Sequence, residues 1–213
     1  MSYPLFMSAT TFTDADIDYL RANYLTLAEL CADRTETLEQ VQVLIEQGLL
    51  PRPSYVLDDG TGMFPADYFR LVDEAGGGEG LGAHFASRHR TASQARGADP
   101  DELEQDWGAY LGGAYGACLH EVTPENIVRK SALVASLCQL LVLARPRSLE
   151  WREALRTQVE ELDALEREFA PDYDRSDEQE RPPTRDLLIK APRERYPDVF
   201  ADAAAPKSDV EAG

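Results

Sequence analysis

Apolar residues recur at helical spacing along most of this chain. From Asp14 to Tyr24, Ile17, Leu20 and Tyr24 share one face behind an N-cap at Thr13, which predicts a first helix. Thr26 caps a short second helix with Leu27, Leu30 and Cys31 on its apolar side. Thr37 opens a third with Leu38, Val41, Leu44 and Ile45 inward, and Gly48 ends it. Tyr55 to Leu57 and Met63 to Phe64 are spaced to pair as a hairpin across Asp59-Gly60. Pro65 then begins a helix whose Tyr68, Phe69, Leu71 and Val72 return to the core before Gly76, Gly77 and Gly78.

The second half is more uniformly helical. Asp99, Pro100 and Glu102 form a helix start, and the helix is expected to run to Leu119. Gly108, Gly112 and Gly116 would then stack as a stripe on one face, close to either another helix or a ligand. Thr123 caps the next helix, with Pro124 at its first position; Ile127, Val128, Leu133, Val134, Leu137, Leu140, Leu141 and Leu143 make it apolar on most faces until Pro146 stops it. A last amphipathic helix from Leu149 to about Phe169 turns Trp151, Leu155, Val159, Leu162 and Phe169 inward. The pattern predicts a mainly α protein with a winged-helix-like N-terminal module over residues 1–75 carrying a small β-hairpin. A Gly-rich and basic linker over 76–98, a helical domain over 99–190 and a mostly disordered tail over 191–213 complete the expected plan.

Charge narrows the functions. With 39 acidic and 21 basic residues in 213, the formal net charge is −18, which argues against binding nucleic acid or anionic membrane. The N-terminal MSYPLFMSATTFTDAD lacks a basic n-region, and the longest apolar run, 132–144, is too short and too interrupted to span a bilayer, so a cytoplasmic protein is expected. Three cysteines, Cys31, Cys118 and Cys138, without paired spacing fit reduced thiols.

Candidate chemistry concentrates in WGAYLGGAYGACLHEVTPENIVRK, residues 107–130. His120, at a predicted helix end where the dipole favours its cation, is the candidate proton carrier, with Tyr110 and Tyr115 as catalytic hydrogen-bond donors. Trp107 would wall a ligand. Thr123, Asn126, Arg129 and Lys130 would offer an anion seat at a helix N-terminus, and Arg88 a cation from a lid. Each feature has a plainer alternative: a satisfied structural histidine, a solvated basic face around Arg88, and Glu125 answering the helix dipole in place of a ligand. Cys118-x-His120 supplies only two metal ligands and no CxxC or HxxxH pair exists, so neither a metal nor another cofactor is expected.

Two resemblances add to this. The residues TLAELCADRTETLEQVQVLIEQGLLPRPSYVLDDGTGMF resemble the N-terminal module of MerR-type regulators, where a QGLLP-type step leads from the recognition helix into the wing. The helix in the recognition position carries Glu36, Glu39, Gln40, Gln42 and Glu46, and carboxylates repel phosphates, so a retained fold with DNA binding lost is expected. The GLLPRPSYVLDDGT step, residues 107–130 and the later FAPDYDRS resemble DUF6058, an uncharacterised family associated with natural-product biosynthesis. The resemblance implies a biosynthetic context and no particular reaction. The expected function is small-molecule binding or non-metal acid/base catalysis of lyase, isomerase or cyclase type. The alternative is a winged-helix regulator or adaptor that binds an effector or protein. Expected partners are a small, anionic ligand and, at most, a second copy in a homodimer.

Overall fold

The computed structural model describes residues 11–94, 100–146, 148–175 and 183–201. It is mainly helical, with one small three-stranded antiparallel sheet. The chain divides into two units, Met1–Arg129 with Arg167–Pro183, and Lys130–Glu166 with Thr184–Gly213.

In the first unit, α1 (Asp14–Asn23), α2 (Leu27–Cys31) and α3 (Leu38–Glu46) each begin at a threonine. The hydroxyls of Thr13, Thr26 and Thr37 accept the amides of Asp16, Glu29 and Gln40, whose side chains reach back to the cap amides. These reciprocal pairs satisfy donors that a helix start leaves open. β2 (Tyr55–Val56) and β3 (Gly62–Phe64) form the expected hairpin. Gly60 supplies its turn at φ 83°, and Asp59 accepts the amide of Thr61 at 2.9 Å. β1 (Leu25–Thr26), which periodicity does not reveal, pairs with β3 in register Leu25 to Phe64, giving the order β1-β3-β2. Phe12, Leu20, Tyr24, Leu57 and Ala170 pack as one core cluster with Tyr55 and Met63 of the sheet.

α4 (Arg70–Glu74) ends at Gly76 and Gly77, both at positive φ. Then α5 (Gly78–Gln94) occupies most of the stretch expected to be a linker. Leu81, Phe85 and His89 recur every four residues, and all three are buried. That burial outweighs the propensity cost of Gly78, Gly80 and Gly82.

The single helix expected up to Leu119 is two, α6 (Pro100–Leu111) and α7 (Ala114–Cys118). Gly113 separates them at φ 82°. The expected cap Asp99 lies outside the described residues. Because the helix breaks, the glycine stripe does not form: a side chain at Gly108 would meet open space.

α8 (Pro124–Val142) starts in the first unit and continues into the second. There Leu133 and Leu137 join Trp151, Leu155, Val159 and Leu162 of α9 (Leu149–Leu165) in a core completed by Leu188, Ile189 and Val199. The last of these come from a π-helical turn, Asp186–Lys190, and from α11 (Pro197–Phe200), which follows α10 (Ala191–Arg195). Residues 191–200, the start of the tail expected to be mostly disordered, are helical and bury Pro192 and Val199, while residues 202–213 of that tail lie outside the described residues. α9 stops at Leu165, short of Phe169.

Candidate functional site

The break between α6 and α7 builds a small concavity in the first unit. Gly113 must be glycine twice over: its φ is left-handed, and a Cβ there would lie 2.5 Å from the Pro53 carbonyl oxygen and 2.6 Å from that of Arg52. The loop before β2 is thereby laid against the helix corner. The Arg52 amide donates to Leu111 O at 2.8 Å, and Ser54 Oγ donates to Gly113 O at 3.0 Å. Between this corner and the turn at Pro65 lies a narrow crevice of about 20 Å³, open to solvent, whose polar lining comes from Arg52, Ser54, Asp67, Tyr68 and Tyr110.

Asp67 is the unusual member. Its Oδ2 accepts the amide of Val122 at 2.8 Å, while its Oδ1 is buried with no hydrogen-bond partner among the described residues. Leaving a buried carboxylate oxygen unmatched costs about 1–3 kcal/mol or more, so such an atom calls for an explanation. Tyr68 donates its hydroxyl to Pro51 O at 2.8 Å. Burial, and then the charge of Asp67, push the Tyr110 phenol well above its ordinary value. Tyr110 therefore stays protonated and serves as a hydrogen-bonding group rather than a base. A carboxylate flanked by neutral hydroxyls is suited to an ammonium, amidinium or hydroxyl group.

Of the residues singled out from sequence, Tyr110 lines this crevice. Trp107 stacks on Tyr110 with centroids 5.6 Å apart and packs on Phe85 at 5.1 Å, as a wall of core aromatics. Tyr115 gives its hydroxyl to Asp106. His120 is exposed, and its carbonyl accepts from Arg167 Nη2 at 3.2 Å. Thr123 Oγ1 accepts the Asn126 amide at 3.2 Å, and the Asn126 side chain donates to Glu121 O at 3.1 Å, so both serve the start of α8. Arg88 grips Glu125 through Nε and Nη2 at 2.9 and 2.8 Å and also pairs with Glu74. Partial burial works against ionisation of Glu125, yet Arg88 holds its carboxyl below the usual range. The first turn of α8 thus carries the protein's own anion, paired with the cation expected for a ligand. Arg129 is exposed. Lys130 belongs to the second unit, where its Nζ lies 2.9 Å from the fully buried Glu166.

Two groups escaped the sequence reading. His89 is 2 % exposed, with Nε2 2.8 Å from Asp106 Oδ2 and Nδ1 3.3 Å from Ser93 Oγ. The four-residue spacing from Leu81 through Phe85 was the available signal, masked by the neighbouring arginines. Asp67 carried no signal, since nothing local distinguishes it from a solvated turn residue. Among the described residues no group of three or more His, Cys, Asp or Glu side chains is placed to hold a metal ion. None of Cys31, Cys118 and Cys138 is in a disulfide, and no helix of the described residues is long and apolar enough to cross a membrane.

No curated protein and no solved structure matches this chain. A family model does, over residues 81–197, from α5 to the start of α11; Tyr110, Gly113, Gly116 and Val122 of the crevice fall inside it, and Asp67 outside. Matched over more than half its length, the chain belongs to DUF6058, a family of unknown function.

Proposed function

We propose that this protein binds a small molecule through the crevice between the α6–α7 corner and the Pro65–Tyr68 turn, in the natural-product context that the family resemblance implies. Asp67 takes a cationic or hydroxyl group of the ligand, with the Tyr110 hydroxyl beside it. The buried, unmatched Oδ1 of Asp67 carries this reading. Arg52, exposed in the lining, can meet a carboxylate or phosphate elsewhere on the same molecule. Because Tyr110 is held protonated, the site favours recognition over base catalysis. Amide NMR with arginine, agmatine and putrescine as probes tests it. Saturable shifts at Val122 and Gly113 are expected, weakened at least tenfold in Asp67→Asn and severalfold in Tyr110→Phe. Absence of such shifts with all three probes in the wild-type chain would sink the reading.

The N-terminal helices and sheet support a second, compatible element of the proposal, a winged-helix-like module that does not bind nucleic acid. Between Leu25 and Phe64 the acidic residues are Glu29, Asp33, Glu36, Glu39, Glu46, Asp58 and Asp59, against Arg34 and Arg52. Arg34 is committed to Asp73 and Glu36 at 2.6 and 3.1 Å. Counterion release, which drives phosphate binding, has little cationic surface to act through between Leu25 and Phe64, where Arg52 stands against seven carboxylates.

A further inference from the structure

The N-terminal helices and hairpin border an apolar groove. It lies between α2, α3 and the β2–β3 hairpin, has a volume of about 300 Å³ and is open to solvent, and Leu27, Leu38, Ile45, Val56 and Phe64 supply its apolar lining. Leu38 and Val56 remain 40 % and 53 % exposed. Its polar lining groups are already used locally: the Thr26 hydroxyl by the capping box with Glu29, and the Gln42 amide by Glu46 at 3.3 Å. No ionised side chain lines the groove, so it lacks the convergent polar anchors of a small-molecule site.

Its rim is acidic. The carboxylates of Glu29, Glu46 and Asp59 accept from the lining residues Thr26, Gln42 and Thr61, and the exposed Glu39 follows Leu38. Bonds from Thr26 to Glu29 and from Thr61 to Asp59 hold these two carboxyls below their usual range, so they are ionised at neutral pH. An apolar floor beside these carboxylates, which outnumber the exposed Arg52 next to Pro53, selects a ligand that is apolar along one stripe and cationic beside it.

We propose that this groove docks a basic amphipathic helix of a partner protein, with Leu- or Phe-type side chains at i, i+3 or i+4, and i+7 against Leu27, Ile45 and Phe64, and Lys or Arg toward the acidic rim. An added strand fits less well, because β2 is two residues long and follows Pro53, leaving little backbone to pair. A second copy meeting the groove with the same face would set carboxylate against carboxylate. The inference does not depend on the Asp67 crevice, and the two report through different amides.

The test uses the full chain and a fluorescein-labelled helical peptide of Leu and Lys in the i, i+3, i+4, i+7 pattern, with a scrambled peptide of equal composition and a Leu-Glu peptide as controls. The patterned Leu-Lys peptide is expected to bind at least tenfold tighter than either control and to weaken as salt rises. Leu38→Asn with Val56→Asn, both exposed positions that leave the fold intact, should reduce binding at least tenfold. Glu39→Lys with Glu46→Lys should reduce it severalfold and flatten the salt dependence. Amide shifts at Leu27, Gln42 and Thr61 of the wild-type chain locate the peptide without any variant. Equal binding of the scrambled peptide would reduce the effect to the attraction of an acidic chain for a cation and overturn the proposal. So would equal binding of the Leu-Glu peptide, or sedimentation showing that Leu38→Asn dissociates a homodimer whose interface fills the groove.

Discussion

His89 Nε2 lies 2.8 Å from Asp106 Oδ2, joining α5 to α6 through an imidazole that is almost completely buried. Asp106 also accepts the hydroxyl of Tyr115 through Oδ1, so one carboxylate ties α5, α6 and α7 together. Removing a shared acceptor leaves two buried donors unmatched, which costs more than removing one donor. Asp106→Ala is expected to destabilise the protein by about 3 kcal/mol and Tyr115→Phe by about 1 kcal/mol. The double variant should be close to Asp106→Ala alone. Urea denaturation of the three variants checks this non-additivity.

The helix break gives a contrast within one short stretch. Gly113→Ala forces a left-handed φ on a residue with a Cβ and drives that Cβ into two backbone carbonyls, which cannot withdraw. A loss of roughly 2–4 kcal/mol is expected. Gly108→Ala, in α6 with open space around it, should instead stabilise by about 0.5–1 kcal/mol. Thermal melts of the pair should move in opposite directions.

Acid stability should depend on Asp16. Burial alone would raise its pKa, but the amides of Asp172, Thr13 and Tyr173 and the hydroxyl of Thr13 bring it below its ordinary 3.8. A carboxyl that holds its proton less tightly when folded stabilises the protein above the unfolded value and loses that contribution as pH falls through the folded one. Wild-type stability should therefore drop below about pH 4. Asp16→Asn, already lacking the charge, should be less stable than wild type at pH 7 by about 2 kcal/mol, a gap that narrows on acidification. Denaturant midpoints measured from neutral to acid pH read this directly.

In the second unit, Glu166 is fully buried and accepts from Lys130 at 2.9 Å and from Thr184 Oγ1 at 2.6 Å. Lys130→Met leaves that carboxylate without its cation and should cost about 3–5 kcal/mol. Pairing it with Glu166→Leu should recover most of the loss, because two apolar groups replace two desolvated charges. Equal losses in the single and double variants would refute this account.

The parts of this protein that its sequence determined alone are those whose interactions close within about four residues. Thr13, Thr26, Thr37 and Thr123 each cap a helix as read, because a hydroxyl and the amide three residues on meet whenever the helix forms. The Asp59-Gly60 turn and the apolar face of α9 belong to the same class. Tertiary structure decided the rest. Gly113 breaks a helix because Arg52 and Pro53 press on it from about sixty positions away. His89 is a core residue because Asp106 on the next helix satisfies it, although its neighbours suggest a solvated basic face. Lys130 and Arg88, read as cations for a ligand, are held by Glu166 and Glu125. Asp67 becomes a candidate binding group only when Val122 takes one oxygen and the fold buries the other. Charge and periodicity specify which residues can be buried; which polar atoms are left unmatched depends on partners that only long-range packing brings within 3 Å.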